Sequence, residues 1–209
     1  MENSKLADEI SAMLNLRQKR EKKPVIANVS NRHMHISRAD LDKIFGQGYE
    51  LRVKNKLMQP GEFASEETVT IVGPKSKIDR VRVLGPIRKA TQIEISRTDS
   101  FVLGIDAPLR LSGDVKGSPG IKIIGPRGEV DLSEGVIVAK RHVHMTPEDA
   151  GYYGIKDGEI IRVKTSGPRA VIFDEVVARV SDKMALECHL DTDEANAAGL
   201  KNGDLVFIL

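Results

Sequence analysis

The sequence predicts a mainly β fold, in which two small β-barrels related by internal duplication are capped by short α-helices and preceded by an N-terminal helical extension. Three observations lead there. Short β-rich runs separated by Gly and Pro dominate the chain after Pro24. The segment Asn31-Arg32-His33-Met34-His35-Ile36-Ser37 reappears as Lys140-Arg141-His142-Val143-His144-Met145-Thr146, with Asp40 and Asp149 following at the same distance. The helical patterns between the runs are too brief to serve as crossovers of a doubly wound parallel sheet.

Taken in order, residues 1–20 carry Leu6, Ile10, Met13 and Leu14 at a spacing that puts them on one face of a short helix, and Lys19 to Lys23 form a polar break. Two readings stand for this extension over residues 1–22: a frayed tail, or an amphipathic helix that docks on a partner. The β-rich runs are Val25 to Val29, Thr68 to Val72, Arg80 to Leu84, Gln92 to Ser96, Gly135 to Ala139, Glu159 to Val163, Glu175 to Val180 and Leu205 to Leu209. Four helical patterns open on a capping side chain, at Ser37, Thr98, Thr146 and Thr192, and each ends near a glycine. After the last two, Gly154-Ile155-Lys156-Asp157-Gly158-Glu159 and Gly199-Leu200-Lys201-Asn202-Gly203-Asp204 are near copies, each followed by an apolar strand. Ser112 to Glu134, rich in Gly, Pro and Ser, reads as connecting structure.

Composition narrows the function. The 209 residues are 40% hydrophobic, enough for a packed core, and 32 basic against 30 acidic residues leave a net charge of +2 with no long basic run. Aromatic content of 4% without Trp removes the stacking platforms of a single-strand binder, so no nucleic-acid partner is expected. A single cysteine, Cys188, excludes an internal disulfide framework and thiolate metal clusters. No stretch approaches the roughly 20 apolar residues of a membrane span, so the expectation is a soluble, cytoplasmic protein with no membrane partner.

The chemistry lies in the histidines. Residues two apart on a strand share a face, so His33 and His35 project together, as do His142 and His144. A single His-x-His pair is as often an ordinary hydrogen-bonded pair as a metal site; two matched copies favour metal. Glu94 and His189 each lie ten residues before a helix-closing glycine, Gly104 and Gly199, in alternating stretches that set Gln92, Glu94 and Ser96 against Ile93 and Ile95, and Glu187, His189 and Asp191 against Leu186, Cys188 and Leu190. One metal is therefore assigned to His33, His35 and Glu94, the other to His142, His144 and His189. These are ligand types of catalytic zinc, which keeps a position for water or substrate, although cobalt, iron or manganese accept similar donors. Every histidine is used, which leaves none for a Ser-His triad. Cys188, on the apolar face, reads as buried filler.

The alternating arginines of Arg80-Val81-Arg82-Val83-Leu84-Gly85-Pro86-Ile87-Arg88 offer donors for an anion, with Arg82 and Arg88 the choices; a solvated strand edge is the competing reading. Gly46-Gln47-Gly48 lacks the third glycine and the strand context of a dinucleotide fingerprint, and no Walker loop is present.

Together these residues resemble the PduL-type phosphotransacylases, the phosphate propanoyltransferase family, through Arg32-His33-Met34-His35, Gln59-Pro60-Gly61, Gly73-Pro74-Lys75, Val81 to Pro86, Thr91 to Ser96, Arg141 to Met145 and Asp191 to Leu200. The resemblance implies a first barrel over 32–139, a second formed by 140–209 and completed by 25–31, and two zinc ions at the barrel interface held by the six ligands already grouped. It implies that Arg88 binds phosphate, that Ser30, Arg82 and Asn196 are active-site positions and that Phe101 contacts coenzyme A. It further implies a homodimer and an enzyme of propanediol degradation, with residues 1–20 able to direct packaging among shell and cargo proteins of a bacterial microcompartment.

The expected reaction is reversible: acyl-CoA and phosphate give acyl phosphate and CoA, for a propanoyl or acetyl group, with Arg88 or metal stabilising the developing oxyanion. Ser112 is open to two readings, a group that binds or protonates the departing thiol and a plain turn residue, the latter favoured. The rivals are a metal-dependent thioester or phosphoester hydrolase and a non-enzymatic, metal-stabilised binding module.

Overall fold

A computed structural model describes residues 2–209, with side chains from residue 5 onward; the expected extension begins at Met1, which lies outside the described residues. The elements run α1 (Glu2–Glu21), β1 (Val25–Ser30), β2 (His33–Ser37), α2 (Arg38–Phe45), β3 (Val53–Lys56), β4 (Phe63–Val72), β5 (Lys77–Arg88), β6 (Gln92–Ile95), α3 (Arg97–Leu103), β7 (Leu109–Arg110), β8 (Ile121–Ile124), β9 (Glu129–Leu132), β10 (Val136–Ala139) and β11 (His142–Met145). They continue with α4 (Pro147–Tyr153), β12 (Ile160–Lys164), β13 (Ile172–Val180), β14 (Glu187–Asp191), α5 (Thr192–Ala198) and β15 (Leu205–Ile208).

The chain divides into two compact units. One comprises the chain through Val29, Arg141–Leu190 and Glu194–Leu209, the other Ser30–Lys140 and Asp191–Asp193. In the first, β1-β14-β11-β13-β12-β15 close into a barrel, and its core gathers Val143, Met145, Tyr153, Val176, Cys188 and Leu190. In the second, a half-barrel sheet runs β7-β10-β6-β2-β5-β4-β8-β9, with β3 on β4, around Met34, Ile36, Leu41, Ile71, Val83 and Ile93. The fold is thus mainly β with short helical caps, as the sequence predicts.

Duplication is visible in the pairing. β2 lies between β5, to which it is parallel, and β6, to which it is antiparallel; β11 lies in the same way between β13 and β14. Both His-x-His strands are therefore central, with neighbours on each side. Met34, Ile36, Val143 and Met145 point to the apolar faces and are fully buried, each worth roughly 1.5–3 kcal/mol of transfer free energy.

The helix starts follow their capping chemistry at Ser37 and Thr146, while Thr192 is itself the first residue of α5 and Thr98 is displaced as a cap. Ser37 Oγ accepts from Asp40 N to open α2, and Thr146 forms a capping box with Asp149 ahead of Pro147 to open α4. α3 is capped by Ser96 and not by Thr98: Ser96 and Asp99 form a reciprocal box, and Thr98 sits inside the first turn, where its N–H donates to Asp193 Oδ2 at 2.8 Å. Gly104 and Gly154 close α3 and α4 in the left-handed region at φ 74° and 63°, which glycine enters without a Cβ penalty.

Two further differences matter. Ser112 to Glu134 is not all connecting structure, since Ile121–Ile124 and Glu129–Leu132 pair as an antiparallel hairpin that extends the sheet beside β4. β4 and β5 run ten and twelve residues, longer than the runs read from sequence. Among the described residues, no helix is long and apolar enough to cross a membrane.

Candidate metal centres

Strand register brings the ligand triads together. His33 stands opposite Glu94 and His35 opposite Gln92 across β2 and β6; His142 stands opposite His189 and His144 opposite Glu187 across β11 and β14. Directly opposed residues of an antiparallel pair project to the same face, so each His-x-His pair meets its third partner without any loop rearrangement. The donor atoms of His33, His35 and Glu94 all lie within 4.8 Å of one another, and so do those of His142, His144 and His189. In the first triad the Nε2 atoms of His33 and His35 are 3.6 and 3.9 Å from the Glu94 carboxylate. In the second the rings of His142 and His189 stack at 4.9 Å, and His144 lies 4.6 Å from each.

Both triads fit a cation by the state of their nitrogens. His35 Nδ1, both ring nitrogens of His144, and His189 Nε2 are buried without a hydrogen-bond partner; native proteins rarely leave such atoms unsatisfied. Burial, with His33 and Arg88 adding to it, pulls His35 down to about 3, and burial with His142, His189 and Arg179 pulls His144 down to about 2. At neutral pH these imidazoles are neutral and carry the lone pairs that ligation requires. His33 Nδ1 sits 2.8 Å from the Asn31 carbonyl, which places the ring hydrogen on Nδ1 and the lone pair on Nε2, toward Glu94. Two histidines with a carboxylate, and three histidines, suit zinc with a coordination position to spare.

A polar network surrounds the first triad. Arg88 donates to Glu62 Oε1 at 2.9 Å and to Ser112 Oγ at 3.3 Å. Gln92 Nε2 donates to Ser112 Oγ at 2.9 Å and to Glu94 Oε1 at 2.6 Å, while its Oε1 accepts from Gly113 N at 2.7 Å. Ser112 is thus more than a turn residue: it links Arg88 to a metal-ligand candidate through Gln92. Arg82 stands in register with His33, yet its guanidinium donates to the Ser65 and Glu66 carbonyls at 3.0 Å. Ser30 ends β1 half-buried, and Asn196 is exposed on α5. Phe101 is 66% exposed, carries the Arg97 guanidinium 5.4 Å over its ring, and with Lys75, Ser100, Gly104, Ile105 and Asp106 lines a cleft of about 500 Å³.

Sequence reasoning missed Gln92, Glu62, Arg179 and Glu187 as site residues. Gln92 and Glu187 carried a signal, because each shares a strand face with the third ligand of its triad. Arg179 reaches the second triad by pairing in register with His144, a parallel contact that only the strand order reveals.

The duplicated strands and their donor triads define an enzyme of the acyltransferase class once set beside known proteins. Residues 26–201 match the family described as phosphate propanoyltransferase. The chain is 59% identical over 191 residues to the phosphate propanoyltransferase of Thermotoga maritima, covering 91% of each chain. It is 48% identical over 188 residues to that of Escherichia fergusonii, covering 90% of this chain and 89% of the other, and 52% identical over 179 residues to that of Listeria monocytogenes, covering 86% and 84%. This chain belongs to the phosphate propanoyltransferase family.

Proposed function

We propose that the chain transfers a short-chain acyl group, propanoyl or acetyl, reversibly between coenzyme A and inorganic phosphate, with zinc held by each donor triad. The observation that carries this reading is the convergence of six nitrogen and oxygen donors into two triads on duplicated strands, with Arg88 tied to the first through Ser112 and Gln92. A divalent cation bound there supplies Lewis acidity toward a phosphate or carbonyl oxygen.

The chain's own residues do the rest. Arg88 binds and orients phosphate through its planar fork, for which Glu62 stands in as an anionic partner in the resting site. A phosphate oxygen attacks the thioester carbonyl carbon, the C–S bond breaks, and the proton carried by hydrogen phosphate ends on the coenzyme A sulfur. Ser112 Oγ accepts from both Arg88 and Gln92, which directs its own hydrogen outward to serve the departing sulfur. The exposed Phe101 ring offers a stacking face for the adenine, and Lys75 and Arg97 beside it offer partners for the phosphates of coenzyme A. Ser30 and Asn196 are further proposed substrate contacts, and Arg82 would join them by releasing the Ser65 and Glu66 carbonyls. The module boundaries 32–139 and 25–31 plus 140–209 belong to this reading. So do the homodimer and packaging in a bacterial microcompartment through residues 1–20, supported by the exposed Leu6, Ile10, Met13 and Leu14 of α1.

Thiol release from propanoyl-CoA, followed with and without inorganic phosphate, tests the reaction. Release that needs phosphate and yields propanoyl phosphate is expected. Release at the same rate without phosphate would replace transfer by hydrolysis.

A further inference from the structure

The two centres differ in where their carboxylate stands. Each is framed by two cross-strand rows: His33 with Glu94 and His35 with Gln92 in one, His142 with His189 and His144 with Glu187 in the other. Each quartet contains one carboxylate, but the duplication has exchanged its place. Where the first centre has Glu94 the second has His189, and where the first has Gln92 the second has Glu187.

Glu187 is 2% exposed. Its Oε1 accepts from Asn28 Nδ2 at 2.7 Å, and its Oε2 lies 3.0 Å from His189 Nε2. That second contact is close without being aligned as a hydrogen bond, for His189 Nε2 has no hydrogen-bond partner. In the first centre the same row holds a carboxamide in a supporting role, since Gln92 donates to Glu94. In the second the roles are reversed, with an amide, Asn28, holding the carboxylate beside the third histidine.

Charge explains why the exchange conserves a carboxylate. A dipositive cation among His33, His35 and Glu94 meets one negative charge from its own ligands; among His142, His144 and His189 it meets none. An ionised carboxylate as deep as Glu187 is costly unless positive charge stands near it. Each cost is offset by the other when both charges are present.

We propose that Glu187 is the charge-compensating and positioning residue of the three-histidine centre, so that cation retention there depends on its carboxylate as well as on the three rings. This rests on the reading that both triads hold a cation. Glu187 acts through His189 and through the local field and stands outside the triad itself. Carboxylates that hydrogen-bond a ligand from outside typically contribute about 10- to 100-fold to metal affinity, and the charge of Glu187, acting without such a bond, is expected to contribute on that scale.

The test uses the full chain with His33→Ala and His35→Ala, which leaves the three-histidine centre alone. Zinc affinity is measured by competition with a chromophoric chelator. With Glu187 intact one zinc per chain is expected. Glu187→Gln, close to isosteric, is expected to weaken it by about 10- to 100-fold, and Glu187→Asp, which keeps the charge, to stay within about tenfold, with the zinc-free melting temperature of the Gln variant no lower than the parent's. Binding by the Gln variant within about twofold of the parent overturns the proposal. If the parent with Glu187 intact binds no zinc, the two-cation reading falls and takes this proposal with it; if the parent binds and the Gln variant binds equally well, this proposal alone falls. Should the Gln variant fail to fold, the Asp variant decides, and a loss larger than about tenfold overturns the idea.

Discussion

Arg32 grips the buried carboxylate of Asp99 at two points, Nη2 to Oδ1 at 2.8 Å and Nε to Oδ2 at 2.9 Å. Arg141 pairs with Glu194 in the equivalent place through Nη1 at 2.8 Å, while its Nε donates to the Asp174 carbonyl at 2.6 Å. Each arginine immediately precedes the first histidine of a triad, and each acid lies five residues beyond the third donor. The pair therefore braces the His-x-His strand against the helix that follows its partner strand. Asp99 also completes the cap of α3, so Arg32→Ala removes the counter-charge from a buried carboxylate that cannot leave. The expected loss is roughly 1–3 kcal/mol, read by urea unfolding. Arg32→Lys recovers only part of it, because an ammonium cannot make the two-point contact. Full recovery by lysine would show that charge alone suffices.

Each triad is expected to lose its own metal independently. Purified protein should hold two zinc ions per chain. His35→Ala and His144→Ala should each hold one, and dialysis against a strong chelator should remove both along with phosphate-dependent thiol release. Elemental analysis of the three proteins decides this; a single substitution that empties both sites would mean that the triads do not act separately.

The site was legible because strand periodicity and duplication are local. His33 with His35, His142 with His144, and the third partners Glu94 and His189 follow from period-two alternation and two glycine anchors, and the register seats them together. What sequence does not encode locally is where long side chains end. Arg82 has the right register beside His33, yet its guanidinium is taken by the Ser65 and Glu66 carbonyls, whereas Arg88 reaches Ser112. The hairpin within Ser112 to Glu134 was hidden because Gly and Pro punctuate the stretch and its apolar face is short, carried by Ile121, Ile123, Val130 and the partly buried Leu132. Ser96 was read as the end of a strand, which concealed its capping box with Asp99.

The extension is not the frayed tail that is one reading of the sequence. α1 is a formed helix whose C-terminal end is pinned to its own barrel unit. Arg20 donates to the Tyr153 and Leu209 carbonyls, Tyr152 Oη donates to the Lys19 carbonyl at 2.8 Å, and Lys23 pairs with Asp149 at 2.6 Å. Leu6, Ile10, Met13 and Leu14 remain exposed ahead of this anchor. Arg20→Ala should raise hydrogen exchange through α1 and speed proteolysis there, while costing the barrel only about 1 kcal/mol. Exchange in α1 equal to that of the parent would show that Arg20 is not the anchor.

Cys188 is fully buried between the strands of the closed barrel and packs among Val143, Leu190 and their neighbours. Its thiol should resist alkylation in the native protein and react once the chain is unfolded, which intact mass spectrometry reads directly. Cys188→Ala should cost about 1 kcal/mol, and Cys188→Ser about 1–3 kcal/mol, since its hydroxyl is buried among apolar side chains. Rapid native alkylation would place the thiol outside the core.

Arg88 and Ser112 should separate in kinetics because they serve different ends of the reaction. Arg88 is a planar donor whose two terminal nitrogens now engage Glu62 and Ser112, so phosphate competes with Glu62 for a fork already held in place. Arg88→Ala should lower kcat/KM for phosphate by about 10²–10³-fold, with most of the loss in KM, and Arg88→Lys should restore a part through charge without the fork. Ser112→Ala leaves the guanidinium and its Glu62 partner intact. It should lower kcat about tenfold or more through the departing sulfur while KM for phosphate stays near that of the parent. Initial rates at varied phosphate and saturating propanoyl-CoA distinguish the two. If Ser112→Ala raised KM for phosphate as much as Arg88→Ala does, the hydroxyl would be part of the phosphate site and not a hydrogen-bond donor to the departing sulfur.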